Sequence, residues 1–357
     1  MSRSYRILVI NPGSTSTKVA VFKNEEAVFS TSLTHSTDEL SKFKQISDQL
    51  DYRLKMIKTI LNENNVDLKQ IDGVVGRGGL LRSIPGGTYA VNSKMLKDLK
   101  QAKRGEHASN LGGIIAHHLG KMLGIPAFIV DPVVVDEMEP VARFSGHPKI
   151  ERRSIFHALN QKAVARKAAI DLGKSYEKLN LIVVHLGGGI SIGCHRKGRV
   201  VDVNNAFNGD GPFAPERSGG LPSAQLAELC FSGKYCLEEV EKMLVGQGGM
   251  VAYLGTNNMK KVENRVKSGE RYAKQVVEAM AYQVAKTVGS MAAVMKGHVD
   301  GIVLTGGLAR DKKFVRMIQE KILWIGRILV YPGEFEMIAL AQGALKALQN
   351  KKFILKY

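Results

Sequence analysis

Asp72-Gly-Val-Val-Gly-Arg-Gly-Gly-Leu-Leu81 recurs as Asp300-Gly-Ile-Val-Leu-Thr-Gly-Gly-Leu-Ala309, identical at six of ten positions. Each copy reads as a short β-branched strand ended by a Gly-Gly turn. One such echo could be chance, because glycines commonly follow strands. Two more pairs occur in the same order in each half. Asn11-Pro-Gly13 and His185-Leu-Gly187 each follow a strand and precede a β-hairpin, and Phe128-Ile-Val-Asp-Pro132 and Ile328-Leu-Val-Tyr-Pro332 are strands ended by proline. Three echoes in register point to a duplicated domain, with a cleft between the copies as a natural place for a ligand.

Working outward, short apolar runs alternate with helical patterns, the grammar of an α/β protein. Strands are expected at residues 7–10, 18–22, 27–33, 73–76, 127–131, 181–185, 299–305 and 328–331, with a hairpin over 190–194 and 199–203. Ser36-Thr-Asp-Glu39 is a capping box that opens one helix carrying Leu40, Phe43, Ile46, Leu50, Leu54, Ile57 and Leu61. Further helices are expected over 107–122, 269–296 and 334–348. The domains then run 1–150 and 151–333, with 334–357 packing back on the first.

The 357 residues fit two domains, and 44% hydrophobic with 24% charged residues excludes a disordered chain. Ile7–Ile10 is too short for a signal-peptide core, and no apolar stretch reaches the roughly 18 residues of a membrane span. Cys194, Cys230 and Cys236 have no C-x-x-C spacing, so neither a disulfide framework nor a cysteine zinc site is expected. A reducing cytoplasm is the expected location, with no membrane partner. The 51 Lys and Arg against 33 Asp and Glu give +18. These charges are scattered without a basic block or interleaved stacking aromatics, which argues against nucleic acid as a partner.

Glycine, at 37 residues, is in excess, and its clusters mark the candidate site. Asn11-Pro-Gly-Ser-Thr-Ser-Thr-Lys18 lacks P-loop spacing. Small residues, hydroxyls and Lys18 suit either a plain tight turn or a cradle for phosphate. The run Gly187-Gly188-Gly189 after His185 is costly in a plain hairpin, so close approach of a ligand explains it better. His185 itself could be structural or a donor to a phosphoryl oxygen. Thr305-Gly306-Gly307-Leu308 ends a strand before a helix, which suits a nucleotide phosphate or ribose. Asn208-Gly-Asp-Gly-Pro-Phe-Ala-Pro-Glu-Arg-Ser-Gly-Gly220 is too rich in turn residues for a helix or strand and carries Arg217. Arg217 and Arg77 are candidate clamps for a carboxylate or phosphoryl oxygen. Asp131 ends a strand at the mouth of the sheet, where α/β proteins place chemistry.

The turn 11–18, Arg77-Gly-Gly79, Arg104-Gly-Glu-His-Ala-Ser-Asn110, Asp131, His185-Leu-Gly-Gly-Gly189 and Pro215-Glu-Arg-Ser-Gly219 together resemble the acetate/butyrate kinase family. Pro132-Val-Val-Val-Asp-Glu-Met138 and Glu151-Arg-Arg-Ser-Ile-Phe-His-Ala-Leu-Asn-Gln161 resemble its butyrate branch. The resemblance implies an actin/hexokinase/Hsp70-type α/β fold, two βββαβαβα domains around a central nucleotide cleft. It implies reversible transfer of the ATP γ-phosphoryl group to a short-chain carboxylate, with Mg²⁺ as the cofactor. It also implies a homodimer or higher homo-oligomer.

By the same resemblance, Asn11, Ser14, Ser16 and Lys18 line the phosphate path. Arg77 and Arg217 grip the carboxylate and the transferring group, Asp131 is the essential acid, and His185 stabilises the transition state. His107 and Asn110 support the site, and the loops at Gly187–Gly189 and Thr305–Leu308 hold nucleotide. Glu334 or Glu336 assists Mg²⁺. The acetate enzymes carry a valine and a phenylalanine where this chain has Gly79 and Val184, so a larger apolar pocket and a C4 preference are expected. Rival readings are an acetate, propanoate or isovalerate kinase, or a nucleotide-gated binding module without acyl-phosphate chemistry.

Overall fold

Ile7, Leu8, Val9 and Ile10 are wholly buried, the pattern of a parallel strand covered on both faces. The computed structural model describes residues 3–207 and 209–357. Asn208, which opens the turn-rich stretch 208–220, lies outside them. The chain forms two compact units, Met1–Asp136 with Phe335–Tyr357, and Glu137–Glu334. The division thus falls at 136/137, earlier than the 150/151 expected.

In the first unit, β1 (Arg6–Pro12), β2 (Ser16–Lys23) and β3 (Glu26–Thr34) form an antiparallel meander. β4 (Gly73–Arg77) and β6 (Ala127–Val130) run parallel to β1. β5 (Thr88–Ala90), a strand not expected from the sequence, pairs antiparallel with β6, and Ile354–Leu355 adds outside it. One face carries Leu8, Ile10 and Val74 against Ile57, Leu61, Leu111 and Ile115 of two helices, Leu50–Glu63 and Asn110–Leu123. The helix Glu336–Gln349 belongs to this unit and brings Gly343 close to Val130. The single long helix expected from Ser36 is broken. Thr37–Ser41 is one short turn and a 3₁₀ turn, Ile46–Gln49, precedes the helix Leu50–Glu63.

The second unit opens with an exposed hairpin, β7 (Phe144–His147) and β8 (Ile150–Glu151). Its sheet contains β9 (Asn180–Leu186), β10 (Ile190–Arg196), β11 (Arg199–Val203), β12 (Gly301–Gly306) and β13 (Ile328–Pro332). The order β11-β10-β9-β12-β13 reproduces β3-β2-β1-β4-β6 of the first unit strand for strand. Each sequence echo falls on an equivalent pair, β4 with β12, β1 with β9 and β6 with β13. The duplicated α/β fold is therefore visible in topology as well as in sequence. Helix Arg271–Val294 covers one face through Val277, Met280, Val284 and Val288. Among the described residues, no helix is long and apolar enough to cross a membrane.

Candidate active site

Parallel strands present their carboxyl ends together, and that edge carries the polar residues in both units. In the first unit Ile10 is level with Gly76, and Arg77 is level with Val130. Asn11, Arg77 and Asp131 therefore follow the same edge, and Lys18 lies across from Asn11 on β2. Glu336, the first residue of its helix, is buried here. Its Oε2 accepts from Asn11 Nδ2 at 2.7 Å and from Arg77 Nη1 at 3.1 Å. Glu334 falls in the other unit. Of the two glutamates, Glu336 is the one joined to Asn11 and Arg77.

Asp131 is buried with φ of 37°, a left-handed conformation that aspartate tolerates better than most side chains. Its carboxylate accepts from Gly87 N at 2.7 Å, and its own N–H donates to Gly87 O at 3.0 Å. The acid thus fixes the turn before β5. Asn110 uses both ends of its carboxamide, accepting from Leu80 N at 2.8 Å and donating to Gly105 O at 3.1 Å. His107 Nδ1 meets Ser109 Oγ at 2.8 Å, so this pair shapes the entry to the helix Asn110–Leu123.

Gly79 does not open a pocket. A Cβ there would stand 2.5 Å from Asn110 Cα, so the missing side chain serves close packing against that residue. Val184 fails the same expectation. It is wholly buried in the core with Ile182, Leu186 and residues of the helix Arg271–Val294. Alternation along β9 sends His185 to the opposite face. The enlarged-pocket argument for a C4 preference therefore falls at both positions.

In the second unit Thr305 is level with His185 across parallel β12 and β9, so both glycine loops leave the same sheet edge. Gly306 takes φ of 94° and exchanges backbone bonds with Gly333 at 3.1 and 2.9 Å. Thr305 Oγ1 donates to Gly333 O at 3.3 Å. Gly307 and the half-buried Leu308 start a 3₁₀ turn beyond it. In the other loop Gly187 N donates to Gly189 O at 3.2 Å, and Gly188 O accepts from Glu216 N at 3.2 Å. Arg217 lies against this loop, bonded to Ala206 O and over the Phe207 ring at 5.6 Å. A Cβ on Gly189 would overlap its guanidinium. Burial lowers the Arg217 pKa.

His185 is buried, with Nδ1 2.9 Å from Asn160 Oδ1. Its ring stacks on His157 at 3.8 Å and 10°. His157 Nδ1 lies 2.9 Å from Ser191 Oγ, which accepts from Gln161 Nε2 at 2.7 Å. Gln161 Oε1 reaches His195 Nε2 at 2.9 Å, and His195 Nδ1 meets the Tyr176 Oη hydroxyl at 2.7 Å. Burial holds the His195 pKa well below its ordinary value, so that ring is neutral. Among the described residues Asn160 Nδ2 is buried without a hydrogen-bond partner. The sequence reading missed His157, Asn160 and Gln161. Their signal was spacing, since i, i+3 and i+4 share one helix face.

Among the described residues no three His, Cys, Asp or Glu side chains gather as a metal cage. Mg²⁺ needs no cage, because one or two carboxylates with substrate phosphates suffice, and Glu336 meets that requirement.

Residues 147–326 match the Acetokinase family. The chain is 54% identical to Butyrate kinase 2 of Clostridium acetobutylicum over 353 residues, 99% of each chain. The crystal structure of Porphyromonas gingivalis acetate kinase superposes with a TM-score of 0.79 at 18% identity, covering 97% of this chain and 100% of that one. A propionate kinase from Francisella tularensis subsp. tularensis SCHU S4 gives 0.75 at 20% identity, covering 95% and 98%. These two likenesses establish a shared fold, and the whole-length identity establishes more: the chain belongs to the acetokinase family.

Proposed function

We propose that the chain transfers the γ-phosphoryl group of ATP to butanoate, reversibly, giving butanoyl phosphate and ADP. The family makes it a phosphotransferase with a carboxyl group as acceptor. The observation that carries the choice of butanoate is the 54% identity to Butyrate kinase 2 along the full chain. A carboxylate oxygen attacks Pγ, the bond from Pγ to the bridging oxygen breaks, and ADP leaves with the electron pair. The nucleophile is already ionised at neutral pH, so no strong base is needed. Such a transfer needs alignment and cancellation of charge on the phosphoryl oxygens.

In this reading Arg77 and Arg217 hold the carboxylate and the transferring group. Asn11, Ser14, Ser16 and Lys18 line the phosphate path, and His185 donates to the phosphoryl oxygens. Asp131 keeps the β5 turn and the strand edge in place. Gly187–Gly189 and Thr305–Leu308 hold the nucleotide. Glu336, already bonded to Asn11 and Arg77, would hold Mg²⁺, which supplies charge neutralisation on the phosphates. The protein would act in the cytoplasm as a homo-oligomer. Hydroxamate trapping of acyl phosphate across C2–C6 acids, with ATP and Mg²⁺, tests the proposal. The highest kcat/KM is expected for butanoate or isobutanoate, and a maximum at acetate would sink it.

A further inference from the structure

Arg53 is wholly buried, on the same helix face as Leu54, Ile57 and Leu61. A guanidinium there is expensive unless its donors are met. All of its bonds go to neutral oxygens. Nε and Nη2 donate to Gln49 Oε1 at 3.1 and 2.9 Å. Nη1 donates to Gly13 O at 2.9 Å, Ser16 O at 3.1 Å and Thr17 Oγ1 at 3.0 Å. Nη2 also donates to Ser14 O at 3.1 Å. Among the described residues no carboxylate pairs with it. Burial lowers its pKa to about 10, so it stays charged at neutral pH. Stability alone gives no reason for a buried cation without a counter-charge.

The turn it holds does give a reason. The carbonyls of Gly13 and Ser14 point to Arg53, that of Thr15 accepts from His35 N at 2.9 Å, and that of Ser16 accepts from both Arg53 and Gly13 N. Every carbonyl from 13 to 16 is thus drawn into the protein. Ser14 and Thr15 are exposed, and among the described residues their backbone N–H groups have no acceptor in the protein. A turn that hides acceptors and leaves donors available suits an anion.

We propose that Arg53 is a positioning residue for phosphoryl transfer, holding the carbonyls of the 13–16 turn away from the phosphate and leaving the N–H groups of Ser14 and Thr15 to receive its oxygens. The inference rests on the reading of Asn11–Lys18 as the phosphate path. Its consequence is selective: nucleotide parameters depend on Arg53, and carboxylate parameters do not.

The test compares Arg53→Lys, Gln49→Ala and Lys18→Ala with wild type in the hydroxamate assay, with thermal unfolding measured alongside. Lysine keeps the charge but cannot reproduce the fork, and Gln49→Ala loosens the guanidinium while retaining it. Arg53→Lys is expected to lower kcat/KM for ATP at least about tenfold while KM for butanoate moves less than about twofold. Gln49→Ala is expected to shift the same parameter in the same direction, and it carries the test if Arg53→Lys does not fold. A lowered Tm with kcat/KM for ATP unchanged overturns the proposal, as does a rise in KM for butanoate equal to that for ATP. If Lys18→Ala also leaves kcat/KM for ATP unchanged, the phosphate-path reading itself fails. A loss in Lys18→Ala alone removes only Arg53 from the account.

Discussion

Glu336 accepts the carboxamide N–H of Asn11 at 2.7 Å, joining the end of the first strand to a residue 325 positions away. The same oxygen takes Arg77 Nη1, so one carboxylate aligns two candidate phosphate ligands. Glu336→Gln should therefore lower kcat by about 10²-fold and raise the Mg²⁺ concentration for half-maximal activity, a loss of the size expected when a metal-site group is removed. Glu334→Gln should stay within about threefold of wild type by the same reasoning. Mg²⁺ titrations of hydroxamate formation read both, and equal losses would return the choice between the two glutamates to the open.

Arg77→Lys should not rescue what Arg77→Ala loses. A planar fork can bond Glu336 and still face a substrate oxygen, whereas an ammonium is a single point charge. Both variants should lose about 10²–10³ in kcat/KM, the scale for a preorganised donor at developing charge. Arg77→Ala should also destabilise the fold, because it leaves a buried carboxylate with Asn11 alone. Paired kinetics and urea unfolding separate the two effects.

His35 makes stability depend on pH. Burial, and then the charge of Arg53, lower its pKa from the ordinary 6.5 to about 4, while Nε2 stays 2.8 Å from Thr17 Oγ1. Between those values the unfolded chain binds a proton that the folded chain does not. Stability contributed by neutral His35 is complete above pH 6.5 and is lost as pH falls toward 4. Urea midpoints measured from pH 7 to pH 4.5 should fall more steeply in wild type than in His35→Gln. Parallel curves would refute this.

Val184→Ala should cost about 2 kcal/mol of stability and leave the order of preference among C2–C6 acids unchanged, since it empties core volume. Gly79→Val should impair activity toward every acid alike by displacing Asn110. A substrate panel on both variants checks this, and a selective gain for acetate would restore these positions to the acyl site.

The duplication was legible because turn residues leave a literal record. The echoes at Asp72 and Asp300 landed on β4 and β12, and their topological equivalence followed. Asn11, Arg77 and Asp131 were legible as strand-end polar residues, because polarity after an apolar run marks the edge of a sheet. Short edge pieces such as β5 were not, since Thr88–Ala90 is too brief to show a period. The break after Ser41 was hidden because Phe43, Ile46 and Leu50 keep the apolar spacing of a helix across it. Gly79 and Val184 misled because side-chain size says nothing of what fills the space beside it. Arg53 left a faint sign, a charge on the apolar stripe of its helix, and His157 left only its spacing to Asn160 and Gln161, its place becoming plain where it stacks on His185.

The helix Glu336–Gln349 completes the first unit, although the whole of Glu137–Glu334 is synthesised before it. At translation rates of about 5–20 residues per second, the opening strands wait on the order of 10–40 s for that helix. The second unit is continuous in sequence and can fold during the delay. Until Glu336 emerges from the ribosome, Asn11 and Arg77 lack the carboxylate that aligns them. The timing of that last helix therefore sets when the first unit is complete.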